Sequence, residues 1–202
     1  MLVLNCHCDG CSLSWPRHSA GATQISVTVH EGGLKLLQIK DNGSGINPDD
    51  LPILCHRHTT SKISTFEDVA AVSTLGFRGE ALCSISFVAR LSVTSMQPGA
   101  EMGFKADFRD SQMVQPEPEA CAAVPGTVMQ VEDMFYNVPN RKKAMKSASE
   151  EFKRVFDVVA RYSIFSCGAS RRRACTVHKL GESAPTRWRL QGSASRSSGT
   201  SR

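Results

Sequence analysis

The sequence predicts an α/β fold, a two-layer sandwich with helices over one face of a sheet, on three observations. Residues 25–30 and 34–40 are β-rich runs joined by Glu31-Gly32-Gly33, a hairpin signal. Phe104, Ala106 and Phe108 alternate with Lys105, Asp107 and Arg109, the period of a strand with one wet face. Phe152, Val155, Phe156, Val159 and Tyr162 recur at helical spacing, which predicts a long amphipathic helix over 150–165 packed on the core.

The remaining elements follow in order. Residues 49–56 and 66–73 read as helical, a glycine-bracketed turn leads into a helix from Glu80, and strands follow at 88–94, 103–108 and 127–132. A chain of 202 residues has room for one domain with a real core. It holds no apolar run of about eighteen residues to span a membrane, and Met1-Leu2-Val3-Leu4 is too short for a signal-peptide core. Eight cysteines without a small-scaffold pattern imply reduced thiols. Cys6-His7-Cys8 with Cys11 suggests zinc, but the second ligand pair of a structural site is missing.

Charge is unevenly spread. The whole chain is +5, yet residues 168–202 hold eight Lys/Arg against Glu182 alone, so residues 1–167 are net acidic. The Ser/Gly/Arg-rich end reads as a disordered basic tail, able to hold nucleic acid through counterion release but more commonly just solvated. In the body, Arg141-Lys142-Lys143 with Lys146, Lys153 and Arg154 is the basic concentration. It reads either as a surface facing DNA or as a solvated helix face.

Two stretches carry chemistry. In Asp41-Asn42-Gly43-Ser44-Gly45-Ile46, a carboxylate is presented at a strand's end with two glycines behind it. An ionised Asp only accepts hydrogen bonds and the adenine amine only donates them. Gly43 and Gly45 permit close approach and positive φ. Ordinary Asx-turn chemistry accounts for the same residues. In Gly76-Phe77-Arg78-Gly79-Glu80-Ala81-Leu82, a turn opens onto a helix whose first amides suit an anion, with Arg78 adding charge. Thr59-Thr60-Ser61-Lys62 offers hydroxyls and an ammonium to the same phosphates. The Walker loop is absent.

These blocks, in this order and followed by Gly126-Thr127 and Phe135-Tyr136-Asn137-Val138-Pro139-Asn140-Arg141-Lys142-Lys143, resemble the MutL family of DNA mismatch repair proteins. That family belongs to the GHKL (Bergerat-fold) ATPases, with type II topoisomerases, heat-shock chaperones and histidine kinases. Glu31-Gly32-Gly33-Leu34-Lys35-Leu36, Ser149-Glu150-Glu151-Phe152 and Arg161-Tyr162-Ser163 are most similar to the eukaryotic homologue shared by the MutL heterodimers. The resemblance runs from about Ala20 to about Phe165. It implies a partial GHKL-type ATPase domain over 20–167, a non-matching leader over 1–19, and a tail over 168–202 that is at most a remnant of a second, transducer domain. Within that tail, 176–182 reads as one strand of the transducer.

The resemblance implies ATP and Mg as cofactors and assigns roles. Asp41 would bind the adenine amine, Gly43 and Gly45 would give it room, and Thr127 would support the base through a water. Thr60, Ser61 and Lys62 would lie along the nucleotide, and Arg78, Gly79, Glu80, Ala81 and Leu82 would cover the phosphates. The family's water-activating Glu and metal-binding Asn fall on Ser12 and Pro16. Serine is a poor general base, proline offers no side-chain oxygen, and Trp15-Pro16 disrupts a helix. Residues 1–19 therefore read as foreign to the fold, from a mis-started or spliced gene model or a truncated copy.

The expected function is an ATP-binding N-terminal domain that dimerises on ATP and couples mismatch recognition to repair in the nucleus. Its expected partners are a second MutL homologue, a MutS-type mismatch sensor and DNA, with no membrane. The alternatives are a catalytically incomplete fragment that acts only through protein partners, and another GHKL ATPase such as a type II topoisomerase subunit. The MutL-like blocks disfavour the last.

Overall fold

A computed structural model describes residues 22–57, 80–145, 147–167, 174–180 and 186–190. Their strands form one nine-stranded sheet: β1 (Gln24–His30), β2 (Leu36–Asp41), β3 (Arg90–Met96), β4 (Gly103–Arg109), β5 (Gln112–Met113), β6 (Glu119–Cys121), β7 (Gly126–Glu132), β8 (Ala174–Leu180) and β9 (Thr186–Leu190). The order is β5-β4-β3-β7-β2-β1-β8-β9, with β6 also on β4. Three helices accompany it, α1 (Ala81–Ser86), α2 (Pro139–Ala144) and α3 (Ala148–Cys167).

The two faces of the sheet differ as the side-chain alternation demands. Ile25, Val27 and Val29 of β1, Leu37 and Ile39 of β2, Leu91 and Val93 of β3, Ala106 and Phe108 of β4, and Val131 of β7 are buried on one face. Phe152, Val155, Val158 and Val159 of α3 join the same core, with Leu51 and Ile85. The other face is polar and half-covered. There Gln130 donates to Gln38 at 3.3 Å and Ser92 to Gln130 at 3.4 Å, a ladder across three strands. This is the two-layer α/β sandwich expected, with the core in the single sheet–helix layer.

The helix over 150–165 starts earlier, at Ala148. The Ser147 hydroxyl accepts from the Glu150 amide at 3.3 Å, and Glu150 and Glu151 set negative charge in the first turn, both of which favour a start there. The hairpin forms, with a short 3-10 turn (Glu31–Gly33) in its loop and β1 antiparallel to β2.

Three expectations are corrected. Residues 49–56 are not an α-helix: Asn47 caps a 3-10 turn (Pro48–Asp50), and irregular turns continue to Arg57. The bonds there run three residues back, Leu54 to Leu51 and His56 to Ile53, and Pro52 has no amide to extend an α-helix. The strand expected at 88–94 begins only at Arg90, because Val88 still bonds back to Ile85 at the end of α1. The strand expected at 176–182 forms two residues earlier and belongs to this sheet rather than to another domain. β8 runs parallel to β1 through seven residue pairs, from Gln24 with Ala174 to His30 with Leu180, and buries Cys175 and Val177. The expected helix over 66–73, the leader over 1–19 and the tail beyond 190 lie outside the described residues.

Cys55, Cys83 and Cys121 are free thiols. Burial, with Cys83 nearby, pushes the Cys55 thiol up to about 12, which makes it a packing group rather than a nucleophile.

Val177 tests the place of β8. Being fully buried, it should contribute about 2 kcal/mol, and Val177→Ala should lower the urea midpoint accordingly. An unchanged midpoint would put residues 174–180 outside the cooperative fold.

Candidate functional site

Strand parity places the site. Leu37 and Ile39 of β2 face the core, and two residues on, still inside the strand and on the same face, comes Asp41. The carboxylate is therefore at the strand's end, as the sequence suggested, but it lies along the apolar face, at the strand's last position. Asp41 pairs across the sheet with Thr127 of β7, and Thr127 with Ser95 of β3. All three are buried. One end of the hydrophobic face thus carries a polar row of carboxylate and two hydroxyls.

The row is held by a hydrogen-bond network. The Asp41 Oδ1 accepts from the Gly43 amide at 2.8 Å, and the carboxylate also bonds the Thr127 backbone. The Ser95 hydroxyl donates to the Gly126 carbonyl at 3.1 Å, lies 3.2 Å from the Thr127 Oγ1, and accepts from the Ile46 amide at 2.8 Å. Asn42 points the other way. Its Oδ1 accepts from the Thr23 and Gln24 amides at 2.9 and 2.8 Å, and its Nδ2 donates to the Thr23 hydroxyl at 3.0 Å. The loop after Asp41 is tied to β1 on one side and to β3 on the other.

One oxygen of Asp41 makes the Asx turn, and acceptor capacity remains on the carboxylate. Gly45 has φ +69, and a Cβ there would lie 2.4 Å from the Met96 carbonyl. Gly126 has φ +125, and its Cβ would lie 2.2 Å from the Asp41 carbonyl. Both glycines are thus required by the backbones that meet at the site. Gly43 does not take positive φ, contrary to expectation; its amide is what the site uses.

Of the expected residues, Asp41, Gly43, Gly45 and Thr127 come together. Glu80, Ala81 and Leu82 sit at the start of α1, a separate element packed on β3, with Glu80 in the capping position and its carbonyl accepting from Ser84 at 2.9 Å. Thr60, Ser61, Lys62, Arg78 and Gly79 lie outside the described residues, as do Ser12, Pro16 and the Cys6, His7, Cys8 and Cys11 set. Among the described residues no group of three His, Cys, Asp or Glu could hold a metal ion, and no helix is long and apolar enough to cross a membrane. Ser95 was missed. Its signal was available, a hydroxyl at the next inward position after Leu91 and Val93.

Burial raises the Asp41 carboxyl above its ordinary range, against the lowering effect of the Gly43 and Thr127 backbone bonds. A folded-state pKa above the unfolded one stabilises the fold below the unfolded pKa, and that contribution is lost as pH rises through the folded value. Near neutrality the ionised carboxylate is thus a net burden. Asp41→Asn, which keeps an oxygen for the Gly43 amide, should unfold at higher urea than the parent at pH 7.5. The difference should shrink or reverse below the ordinary carboxylate range, near pH ~4. A pH-independent difference would mean that Asp41 does not titrate in this way.

No family model matches the chain. Individual relatives do. The DNA mismatch repair protein MLH1 of Saccharomyces cerevisiae is 48% identical over 147 residues, 73% of this chain and 19% of that protein. Mlh1 of Dictyostelium discoideum is 41% identical over 152 residues, 72% of this chain and 17% of its own length. MutL of Cellvibrio japonicus is 43% identical over 148 residues, 72% and 23%. The chain thus spans about a fifth of the length of these relatives. Among solved structures, the N-terminal domain of a DNA repair protein superposes with a TM-score of 0.66 at 26% identity, over 83% of this chain and 46% of that one. The Aquifex aeolicus MutL ATPase domain complexed with ADP gives 0.62 at 23% identity, over 86% and 58%. The aligned sequence and the shared fold agree: this chain belongs to the MutL family of DNA mismatch repair proteins and folds as part of their ATPase domain.

Proposed function

We propose that the chain is the nucleotide-binding part of a mismatch repair protein and holds ATP or ADP by the adenine at Asp41. The observation that carries this reading is the buried carboxylate itself. A sheet that only needed to pack would place an apolar residue after Leu37 and Ile39. Asp41 accepts two backbone bonds and, when ionised, retains sites for the exocyclic amine. Thr127 and Ser95 beside it offer hydroxyls to a bridging water. The donor set thus fits adenine, and discrimination against guanine follows because its carbonyl would face the carboxylate.

The phosphate side belongs to the same proposal. Thr60, Ser61, Lys62 and Arg78 carry the hydroxyls and charge that a polyphosphate needs, Gly79 would let it approach the backbone, and Glu80, Ala81 and Leu82 open α1. For Mg the fit fails, since Ser12 and Pro16 stand where the family resemblance puts the activating Glu and the metal-binding Asn. Without an activating carboxylate, hydrolysis should be slower by on the order of a hundredfold or more. In this reading the chain binds nucleotide, pairs with a second MutL homologue, and works with a mismatch sensor on DNA in the nucleus. Hydrolysis is not its main act.

Titration calorimetry with ADP tests the nucleotide site. Binding is expected for the parent chain and a loss of about tenfold or more for Asp41→Ala, the usual penalty for removing a charged hydrogen-bond partner. Affinity should also fall with pH sooner than for an ordinary carboxylate, because protonated Asp41 presents a donor to the amine. Equal affinities for parent and variant would remove Asp41 from the site.

A further inference from the structure

Ser95 follows Leu91 and Val93 at the inward positions of β3 and is buried with them. A hydroxyl has one proton to give and two lone pairs to fill. Around the Ser95 Oγ lie the Ile46 amide at 2.8 Å, the Gly126 carbonyl at 3.1 Å and the Thr127 Oγ1 at 3.2 Å. The amide only donates and the carbonyl only accepts, so Ile46 fills one lone pair and the Ser95 proton goes to Gly126. Thr127 is the member that can do either. With the Ser95 proton already placed, Thr127 donates to the second lone pair, and the whole hydrogen-bonding capacity of Ser95 is in use.

The direction of that last bond matters to Asp41. Asp41 and Thr127 stand directly opposite each other on β2 and β7 and share the inward face, which puts their Cβ atoms about 4.5–5.5 Å apart. An ionised carboxylate with open lone pairs is the strongest acceptor a Thr127 hydroxyl could turn to. Turned that way, the hydroxyl would satisfy the carboxylate from inside the protein. The carboxylate instead takes the Gly43 amide at 2.8 Å and the Thr127 backbone. Lys40 precedes it on the opposite, exposed face, and among the described residues no charged side chain contributes to the Asp41 environment. What faces it is backbone and the hydroxyl row.

We propose that Ser95 is a positioning residue that draws the Thr127 proton away from Asp41, so that the carboxylate keeps an open acceptor for the donor group of a ligand. The hydroxyl pair then meets a ligand-side water through the lone pairs of Thr127. An acceptor left open until the ligand arrives is preorganised, whereas one already satisfied by its own neighbour must break that bond first. A serine that only fastened the loop at Ile46 would leave the Thr127 proton free to choose. The inference rests on the adenine reading for the identity of the ligand, while the proton arrangement itself belongs to the free chain.

The test is an NMR titration of the Asp41 carboxyl carbon in the free chain, with ADP calorimetry on the same preparations. Removing a polar neighbour by itself deepens the desolvation of the carboxylate and pushes its titration up. Ser95→Ala should do the opposite, because the released Thr127 hydroxyl turns to Asp41 and favours the charged form. The titration then moves to lower pH. Ser95→Ala/Thr127→Val, which removes the released hydroxyl, should bring it back up. Ser95→Cys keeps the volume and offers only a weak acceptor, so it should also move down, and it carries the comparison where the alanine variant folds poorly. Near neutral pH, Ser95→Ala should bind ADP about fivefold more weakly than the parent, because one hydrogen bond must break first. The proposal is overturned if Ser95→Ala and Ser95→Cys leave the titration in place or move it up, or if the double variant stays at the lower pH. It is equally overturned if ADP binds the parent and Ser95→Ala alike. A parent chain that binds no ADP would fault the adenine reading, and the carboxyl titration would still decide the role of Ser95.

Discussion

A carboxylate on the hydrophobic face of a sheet is the constraint around which the rest of this molecule is arranged. An isolated ionised Asp in that position is expensive, by several kcal/mol in a low-dielectric setting. Asp41 is tolerated because the chain supplies donors on both sides, the Gly43 amide within its own turn and the Thr127 backbone across the strand pair. Those donors come close only because Gly126 and Gly45 let neighbouring backbones approach to distances at which a Cβ would collide. Carboxylate, hydroxyl row and glycines form a single unit, and removing one changes what the others cost.

The sheet then divides its labour by position along the strands. Toward His30, Leu36 and Val131 the inward face is closed by α3, whose Phe152, Val155 and Val159 fill it. Toward Asp41, Thr127 and Ser95 the same face turns polar. The apolar end supplies rigidity and the polar end inherits it, because the three residues of the row sit on strands whose register the core has already set. A site on sheet strands is held more closely than one carried wholly on loops.

Much of this was legible in the residues. The hairpin around Glu31-Gly32-Gly33, the wet face of β4 and the stripe on α3 are local periodicities, and local periodicity is what a sequence displays directly. Asp41 and Gly45 were visible as chemistry, while Thr127 entered only through family resemblance, because its partner lies 86 positions away in the pairing of Asp41 with Thr127. Two misreadings have one cause. The strand β8 was assigned to another domain, and Asp41 to the strand's end rather than its face, because both placements depend on cross-strand pairing over long separations. The strand itself was legible, in the alternation of Cys175 and Val177 with half-buried Thr176 and His178, while its place beside β1 was not.

The placement of β8 also bears on how the Asp41 end is supported. β1 lies between β2 and β8, and the first residues of β1 are where Asn42 anchors the loop after Asp41, through the Thr23 and Gln24 amides. Without β8, β1 would be an edge strand, with one row of backbone groups left to water and its start free to fray. Pairing from Gln24 with Ala174 onward fixes that start on its far side. A strand more than a hundred and thirty positions from Asp41 in sequence therefore stiffens the anchor of the loop that carries it. The Asp41 end of the sheet and the return of the chain after α3 are one mechanical problem, solved at Gln24.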